Sequence, residues 1–184
     1  MRQDIIEYLQ KEIKRKCELP SNFFGMGCFY HIIAVVDNAV ILAKQFGADE
    51  EVVIIAAWLH DVASITDYNL YEEHHIHGAK MAKEILEKFD YDKEKTAQVQ
   101  SCVLNHRGSI SGERLSLEEM CVADADAISH FDNVPSLLYL AYIFFYKVFL
   151  FASVAHNMQH SYQIPKYFHV SSKAYILLLT ENHI

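Results

Sequence analysis

Apolar residues recur at steps of three and four along most of the first 130 residues, which is the spacing of one buried face of an α-helix. The first such face contains Ile5, Ile6, Leu9, Ile13 and Cys17. Pro20 marks the end of this predicted helix. A second helix is predicted from about Phe29 to Phe46, where Gly47 provides a left-handed stop.

The most apolar segment of the first 140 residues is 52–59, which reads Val-Val-Ile-Ile-Ala-Ala-Trp-Leu. Asp49 precedes it as a helix cap, and Glu50 and Glu51 fall in the first turn, where the helix dipole favours anions. The β-branched run would also suit a buried strand, but no alternating segment elsewhere supplies a strand to pair with it. We therefore predict a fully buried helix.

Three more helices are predicted before residue 140. They cover Glu73–Phe89, about Lys93–Asn105, and a segment that runs to Ile128 and opens with the capping box Ser116-Leu117-Glu118-Glu119. The expected fold class is all-α, a helical bundle of about six helices over residues 1–140. A chain of 184 residues is long enough for one such domain with a single core.

Composition narrows the class of protein. With 52% hydrophobic residues, 6 Gly and 3 Pro, the chain is packed and globular rather than disordered. Its net charge of −8 offers no basic surface for duplex nucleic acid or an anionic membrane. Four cysteines without a Cys-x-x-Cys pair predict reduced thiols and a cytoplasmic location, and the charged, amphipathic N-terminus is not typical of a signal peptide.

The composition changes near residue 140. Residues 1–140 contain 13 basic and 23 acidic residues, whereas residues 141–184 contain 3 and 1. The stretch 137–155 is apolar apart from Lys147 and Ser153 and is about as long as a membrane span, but a lysine in mid-span costs about 2.5 to 3.5 kcal/mol. We expect a buried or interfacial helix that covers the bundle or joins a homo-oligomer, not a membrane span, and we assign no function to residues 141–184.

Candidate chemistry starts with His60-Asp61, at the end of the most apolar predicted helix. An imidazole and a carboxylate are costly to bury there unless they bind a cation. Neighbours on a helix diverge by about 100°, so other helices must supply further ligands. His31 and Asp126 are the candidates, and two imidazoles with two carboxylates suit Mn, Fe, Co, Ni or Zn, and Mg less readily.

His31, His60-Asp61 and Asp126, in that order on predicted helices, resemble the HD-domain superfamily of metal-dependent phosphohydrolases. The neighbouring residues are also similar to small stand-alone bacterial and archaeal HD proteins: Tyr30-His31-Ile32, Gly47-Ala48-Asp49, Gly78-Ala79, Val103-Leu104-Asn105-His106 and Val122-Ala123-Asp124-Ala125-Asp126. The resemblance covers roughly residues 20–140. It implies a helical bundle of the HD-domain type.

The resemblance also implies a second ion. His74 and His106 fall where HD proteins with two ions have additional ligands, so the implied metal ligands are His31, His60, Asp61, His74, His106 and Asp126, with Asp61 as the bridge. One or two divalent ions are expected as cofactors. Two ions could activate a water and stabilise an in-line phosphoryl displacement at His60 and Asp61, while Arg107 could bind a phosphate oxygen.

Several of these residues have a plainer interpretation. His74 lies in the polar cluster 72–77 and could be a solvated surface residue, and His106 could be a cationic helix cap. Asp124 is expected to orient a histidine rather than to bind an ion. His130, one turn beyond Asp126, could face either the site or the core.

The leading hypothesis is a phosphohydrolase that uses metal-activated hydroxide to cleave a phosphate ester or anhydride of a small molecule. The favoured small molecule is a nucleotide. A second hypothesis is a di-iron oxygenase, because a minority of HD proteins are similar in these six ligands yet cleave carbon bonds with dioxygen. A third is a regulatory module that binds metal or nucleotide without turnover, or a membrane-tethered subunit. No motif in the sequence identifies a base, sugar or phosphate number.

Overall fold

The computed structural model describes residues 1–107 and 114–132, together with Leu138, Tyr142 and Phe145. Its helices are α1 (Gln3–Glu18), α2 (Met26–Phe46), α3 (Glu50–Leu59), α4 (His74–Glu87), α5 (Lys93–Asn105) and α6 (Leu117–Asp132), with a short 3-10 turn at Tyr68–Leu70. These residues include no strand. The prediction of an all-α fold is therefore confirmed.

The helix boundaries follow the sequence signals with small shifts. Gly47 has a φ of 74°, and its N–H donates to the carbonyl of Ala43, as the predicted left-handed stop requires. Because α2 begins at Met26, three residues earlier than predicted, His31 lies in its second turn. Helix α6 continues four residues past Ile128, to Asp132.

Helix α3 lies at the centre of the core. All eight residues from Val52 to Leu59 are buried, and α3 packs against α1, α2, α5 and α6. The Asp49 carboxylate accepts hydrogen bonds from the N–H groups of Glu51 and Val52, so the predicted cap is present. Burial on every side of a short helix, at about 1.5 to 3 kcal/mol for each large apolar side chain, outweighs the preference of a β-branched run for a strand.

Helix α2 packs mainly against α6 and α3. Within the described ranges it is long and apolar enough to cross a membrane, with a mean hydropathy of 1.7 over 18 residues. The central helix of a globular protein commonly has the same length and hydropathy. The residues of α2 that are buried in the bundle are Phe29, Ile32, Val35, Ala39 and Ala43.

Gly78 sets how closely α4 approaches its neighbours. A Cβ atom at this position would lie 3.2 Å from Val103 Cγ1 on α5 and 3.5 Å from the carbonyl oxygen of His60. The missing side chain therefore brings the first turn of α4 next to the segment that follows α3. His74 lies in that turn, one helical turn before Gly78.

Most of the C-terminal extension predicted at 141–184, and most of the apolar stretch 137–155, lie outside the described residues. Leu138, Tyr142 and Phe145 are helical and exposed. The expectation of a buried or interfacial helix in this region stays a prediction.

Glu51 connects the start of the chain to α3 and to the beginning of α5. Its carboxylate accepts hydrogen bonds from Arg2 N at 2.6 Å, Tyr91 Oη at 2.9 Å and Lys95 Nζ at 3.4 Å. The side chain is only 12% exposed. Burial would raise the pKa of Glu51, but the hydrogen bonds from the Met1 amino group and from these partners lower it to about 2.

We expect Glu51→Gln to lower the free energy of unfolding at pH 7 by about 1 to 3 kcal/mol, because bonds to a charged acceptor are replaced by weaker ones. The folded-state pKa of about 2 lies below the ordinary value of 4.5. The carboxylate therefore stabilises the fold above the higher value, and its contribution is lost as the pH falls towards the lower one. Denaturant unfolding across this range should show the variant and the natural protein converging.

The control is Glu50→Gln, which removes the same charge from the same turn of α3 but leaves the bonds to Tyr91 and Lys95 in place. Equal losses of stability in the two variants would contradict the assigned role of Glu51.

Candidate metal centre

Six side chains from five segments of the bundle converge on one place. They are His31 on α2, His60 and Asp61 directly after α3, His74 at the start of α4, His106 directly after α5, and Asp126 on α6. Four of the six lie at helix ends, where side chains from neighbouring positions can turn towards a common point. The structure thus brings together every residue that the sequence analysis named as a metal ligand.

The potential ligand atoms form two groups of three. One group contains His31, His60 and Asp126, the other contains Asp61, His74 and His106, and the atoms of each group lie within 4.8 Å of one another. Each group has two imidazoles and one carboxylate. Such a set can hold a divalent transition metal ion.

Asp61 lies between the two groups. Its Oδ2 is 3.9 Å from His31 Nε2 and 3.6 Å from His60 Nε2, while its Oδ1 is 3.5 Å from His74 Nε2. Ser64 Oγ donates a hydrogen bond to Oδ1 at 3.2 Å, which helps to fix the carboxylate plane. The two oxygens therefore face different groups, as in a carboxylate that can contact two ions.

Three of the four histidines are oriented by the same local hydrogen bond. In each, Nδ1 lies 2.7 Å from the carbonyl oxygen three residues earlier: His60 with Ala57, His74 with Tyr71, and His106 with Val103. A carbonyl can only accept, so Nδ1 carries the proton and Nε2 keeps its lone pair. All three lone pairs are thereby available to a ligand in the centre.

His31 reaches the same state through a serine. The buried Ser129 donates its hydroxyl proton to the carbonyl of Asp126 at 2.7 Å, so its oxygen accepts from His31 Nδ1 at 3.2 Å. His31 Nε2 then points to the centre, 3.3 Å from Asp126 Oδ1. The sequence analysis did not single out Ser129. Its position three residues after Asp126, on the same face of α6, was the available signal.

The expectation that Asp124 orients a histidine is wrong. Asp124 is exposed. Residues two apart on a helix point about 200° away from each other, so the side chain of Asp124 lies on the opposite face of α6 from Asp126. The backbone carbonyls and Ser129 orient the rings instead.

The arrangement tests whether the residues fit a metal. His74 Nε2 is 3.2 Å from His106 Nε2, and His31 Nε2 is 3.3 Å from His60 Nε2. Two lone pairs at that distance in a buried site repel each other and satisfy neither nitrogen. A cation bound by both nitrogens removes the conflict, so the residues present fit a pair of divalent ions.

The pKa shifts of Asp61, Asp126 and His106 agree with this fit. Burial would raise the pKa values of Asp61 and Asp126, but the surrounding histidines lower both below the ordinary range, so both are carboxylates at neutral pH. Burial, reinforced by the neighbouring His60, lowers the pKa of His106 to about 4. His31 differs: burial would lower its pKa, but the bond to Asp126 and the charge of Asp61 raise it, which favours the protonated ring. A metal ion bound at His31 would therefore displace a proton. Neutral imidazole and ionised carboxylate are the forms that bind metal.

The plainer interpretations of several histidines can now be decided. His74 is 8% exposed, so it is not a solvated surface residue. His106 is 2% exposed and its pKa is lowered to about 4, so it is not a cationic helix cap at neutral pH. His130 faces the site rather than the core: its ring stacks on that of His31 at 4.9 Å, and its Nε2 is 3.6 Å from Asp126 Oδ1. His77 pairs with Glu73 at 3.7 Å on the outer side of α4.

Arg107, which the sequence analysis expected to bind phosphate, follows His106 directly. Its Nη1 donates to the carbonyl of Glu72 at 2.8 Å, which holds it beside the start of α4. A guanidinium has five N–H groups, so one bond of this kind leaves donors for an anion. The phosphate contact itself stays a prediction.

Comparison with known proteins gives one family match. The model of the HD domain matches residues 28–130. Ribonuclease Y of Clostridium kluyveri is 29% identical over 106 residues, which are 58% of this chain and 19% of that protein. Ribonuclease Y of Rubrobacter xylanophilus is 27% identical over the same lengths. The chain thus spans about one fifth of the length of these curated relatives.

A solved structure has a similar fold. It is the crystal structure of a predicted HD superfamily hydrolase from an uncultured Thermotogales bacterium, which is 20% identical and aligns with a TM-score of 0.56. The alignment covers 88% of this chain and 93% of that one. At this identity the likeness concerns the fold alone.

We expect His74→Ala to lose the ion of the Asp61, His74 and His106 group and to keep the other, because the ligands of the other group and the Asp61 oxygen that faces them are unchanged. Asp61→Ala should lose both ions, since its oxygens face both groups. Elemental analysis of the dialysed variants, with folding checked by circular dichroism, measures both outcomes.

A partly exposed histidine and an exposed carboxylate serve as matched controls. His77→Ala removes a histidine one helical turn from His74, and Asp124→Ala removes a carboxylate from α6. Both should keep the full metal content. If the His74→Ala protein holds as much metal as the His77→Ala protein, His74 is not a metal ligand.

Ser129→Ala tests the orientation of His31. Without the serine oxygen, His31 Nδ1 has no acceptor and the ring is free to turn. We expect metal affinity to fall about 10- to 100-fold in the group that contains His31, and to stay unchanged in the group that contains His74. Metal titration that shows equal affinities in Ser129→Ala and the natural protein would contradict this role.

Proposed function

The chain belongs to the HD-domain family, and on that premise we propose that it is a metal-dependent phosphohydrolase that cleaves a phosphate ester or anhydride of a small molecule, a nucleotide. The family model covers more than half of the chain and confirms the resemblance read from its sequence. The observation that supports the proposal most directly is the position of Asp61 between two groups of ligands.

Two divalent ions in these groups would lower the pKa of a bound water and neutralise phosphate oxygens. The contribution of the protein itself is to hold the ligand side chains in fixed positions. His31, His60 and Asp126 would hold one ion and His74 with His106 the other, while Asp61 would offer one oxygen to each group. Because the hydrogen bonds at Nδ1 hold each ring in place, the lone pairs are oriented before any ion or substrate arrives.

Arg107 is the residue that would position the phosphate. It follows His106 in the chain, and its bond to Glu72 holds it at the start of α4, beside His74. Arginine binds phosphate oxygens through charge-assisted and often bidentate hydrogen bonds. In a chain of net charge −8, this local cation and the metal ions would supply the attraction for an anionic substrate.

The relatives support phosphoryl chemistry without defining the substrate. Two of them carry the name Ribonuclease Y, and the similar fold belongs to a protein titled a predicted hydrolase. The acidic composition of this chain favours a small phosphate compound over duplex nucleic acid, whose binding relies on many basic residues.

We expect the purified protein with added Mn, Co, Ni or Mg to release phosphate from at least one compound in a panel of nucleotides and phosphoesters. Asp61→Asn should reduce that release at least about a hundredfold, because it removes a ligand oxygen at the point shared by both groups. The matched control is Asp124→Asn, an exposed carboxylate on α6 that should retain full activity.

Other outcomes would replace the proposal. Bound iron with consumption of dioxygen and no phosphate release would indicate the oxygenase. Metal and nucleotide binding with no turnover of any compound would indicate a regulatory module.

A further inference from the structure

A row of aromatic rings leads away from the metal centre along the segment between α3 and α4. The ring of Tyr71 stacks on that of His74, with centroids 5.7 Å apart and planes at 17°. The ring of Tyr68 continues the row, 5.9 Å beyond Tyr71 and parallel to it within 8°. Phe23 stacks on Tyr68 at 4.1 Å. Phe23, Tyr68 and Tyr71 are called the aromatic row below.

The local backbone holds the two tyrosines on one side of a short turn. The Asp67 side chain accepts from the N–H of Asn69, and the N–H of Tyr71 donates to the carbonyl of Tyr68. Phe24 packs behind both rings, at 5.2 Å from Tyr71 and 5.9 Å from Tyr68, and is itself buried. The row is therefore a supported surface rather than a set of loose side chains.

Packing does not account for the whole of this surface. Tyr68 is 43% exposed and Tyr71 is 37% exposed, although both are large apolar rings next to a polar centre. Arg107, bound to the carbonyl of Glu72, places a cation at the end of the row that is nearest to His74. The rings of Tyr68 and Tyr71 are parallel but 5.9 Å apart, so they are offset and neither wholly covers a face of the other. A cation and metal ligands at one end, and partly exposed aromatic rings at the other, match a molecule with an anionic end and a planar ring.

We propose that Tyr68 and Tyr71 form a stacking platform for the base of a nucleotide whose phosphate lies at the metal centre. This inference rests on the proposed function and adds the residues that bind the base. A ribose separates the phosphate of a nucleotide from its base. If the phosphate lies beside His74, the base is therefore placed near the rings of Tyr71 and Tyr68. Stacking on aromatic rings accepts any base, which agrees with a sequence that has no base-reading motif.

The test compares adenosine monophosphate with ribose 5-phosphate, which lacks the base. In Tyr68→Leu we expect the KM of the nucleotide, divided by the KM of the sugar phosphate, to rise about tenfold, as is usual when a stacking ring is removed. Leucine keeps apolar contact with Phe23 but has no aromatic face. Tyr68→Phe retains the ring and should restore the ratio, and Tyr71→Leu gives an independent second variant.

The matched control is Tyr8→Leu. Tyr8 is 39% exposed and also packs against one aromatic ring, that of Phe89, away from the row. Its loss should leave the ratio unchanged. If the aromatic row only anchors the segment between α3 and α4, Tyr68→Leu and Tyr71→Leu will lower the thermal stability without changing the ratio, and the platform is then wrong.

A binding measurement separates this inference from the proposed function. Calorimetric titration of the purified protein with adenosine and with ribose, neither of which has a phosphate to be cleaved, gives a ratio of Kd values that does not depend on turnover. A ratio that rises in Tyr68→Leu supports the platform even where no phosphate is released, and in that case the hydrolase is wrong. Phosphate release with unchanged Kd and KM ratios overturns the platform and leaves the hydrolase standing.

Discussion

The candidate metal centre depends on four imidazole rings, those of His31, His60, His74 and His106, whose Nε2 atoms point into one space inside the bundle. Each is held there by a hydrogen bond at the opposite ring nitrogen, three to backbone carbonyls and one to Ser129. Without a positive charge between them the nitrogens repel at 3.2 and 3.3 Å. Bound metal ions would therefore offset the cost of an arrangement that the fold itself imposes, and we infer that metal binding and the packing of the bundle are energetically coupled.

The bundle can impose this arrangement because its centre is rigid. Helix α3 is buried on all sides, so its end, and the His60-Asp61 pair that follows, are fixed relative to α2, α5 and α6. Gly78 then brings α4 against the same segment and delivers His74 to the second group. Precise placement by helix ends explains how five segments far apart in sequence form one site.

The sequence predicted the helices well because periodic burial, caps and stops are local signals, as at Asp49 and Gly47. It also named all six residues that converge, since a buried His-Asp pair needs partners and the family resemblance indicates where they lie. The prediction for Asp124 was wrong because it considered that a carboxylate can orient a histidine but not which face of α6 the residue lies on. Ser129, which does orient a histidine, was not predicted. The identity of a hydrogen-bond partner depends on which helix faces are in contact, and that is a tertiary property.

The exposure of the candidate ligands shows on which side the centre is open. His60 and His106 are almost fully buried and form the floor, whereas the side chains of His31, Asp61 and Asp126 are 13 to 19% exposed. Among the described residues, the centre is therefore open on the side of these partly exposed side chains. His130 and Tyr71 each stack on a ligand ring and extend outwards from it, so they border that opening. Tyr71 lies between α3 and α4, where the sequence has no hydrophobic periodicity, and His130 lies near the end of α6. Such positions give no regular sequence signal, so residues that would recognise a substrate are harder to predict than metal ligands.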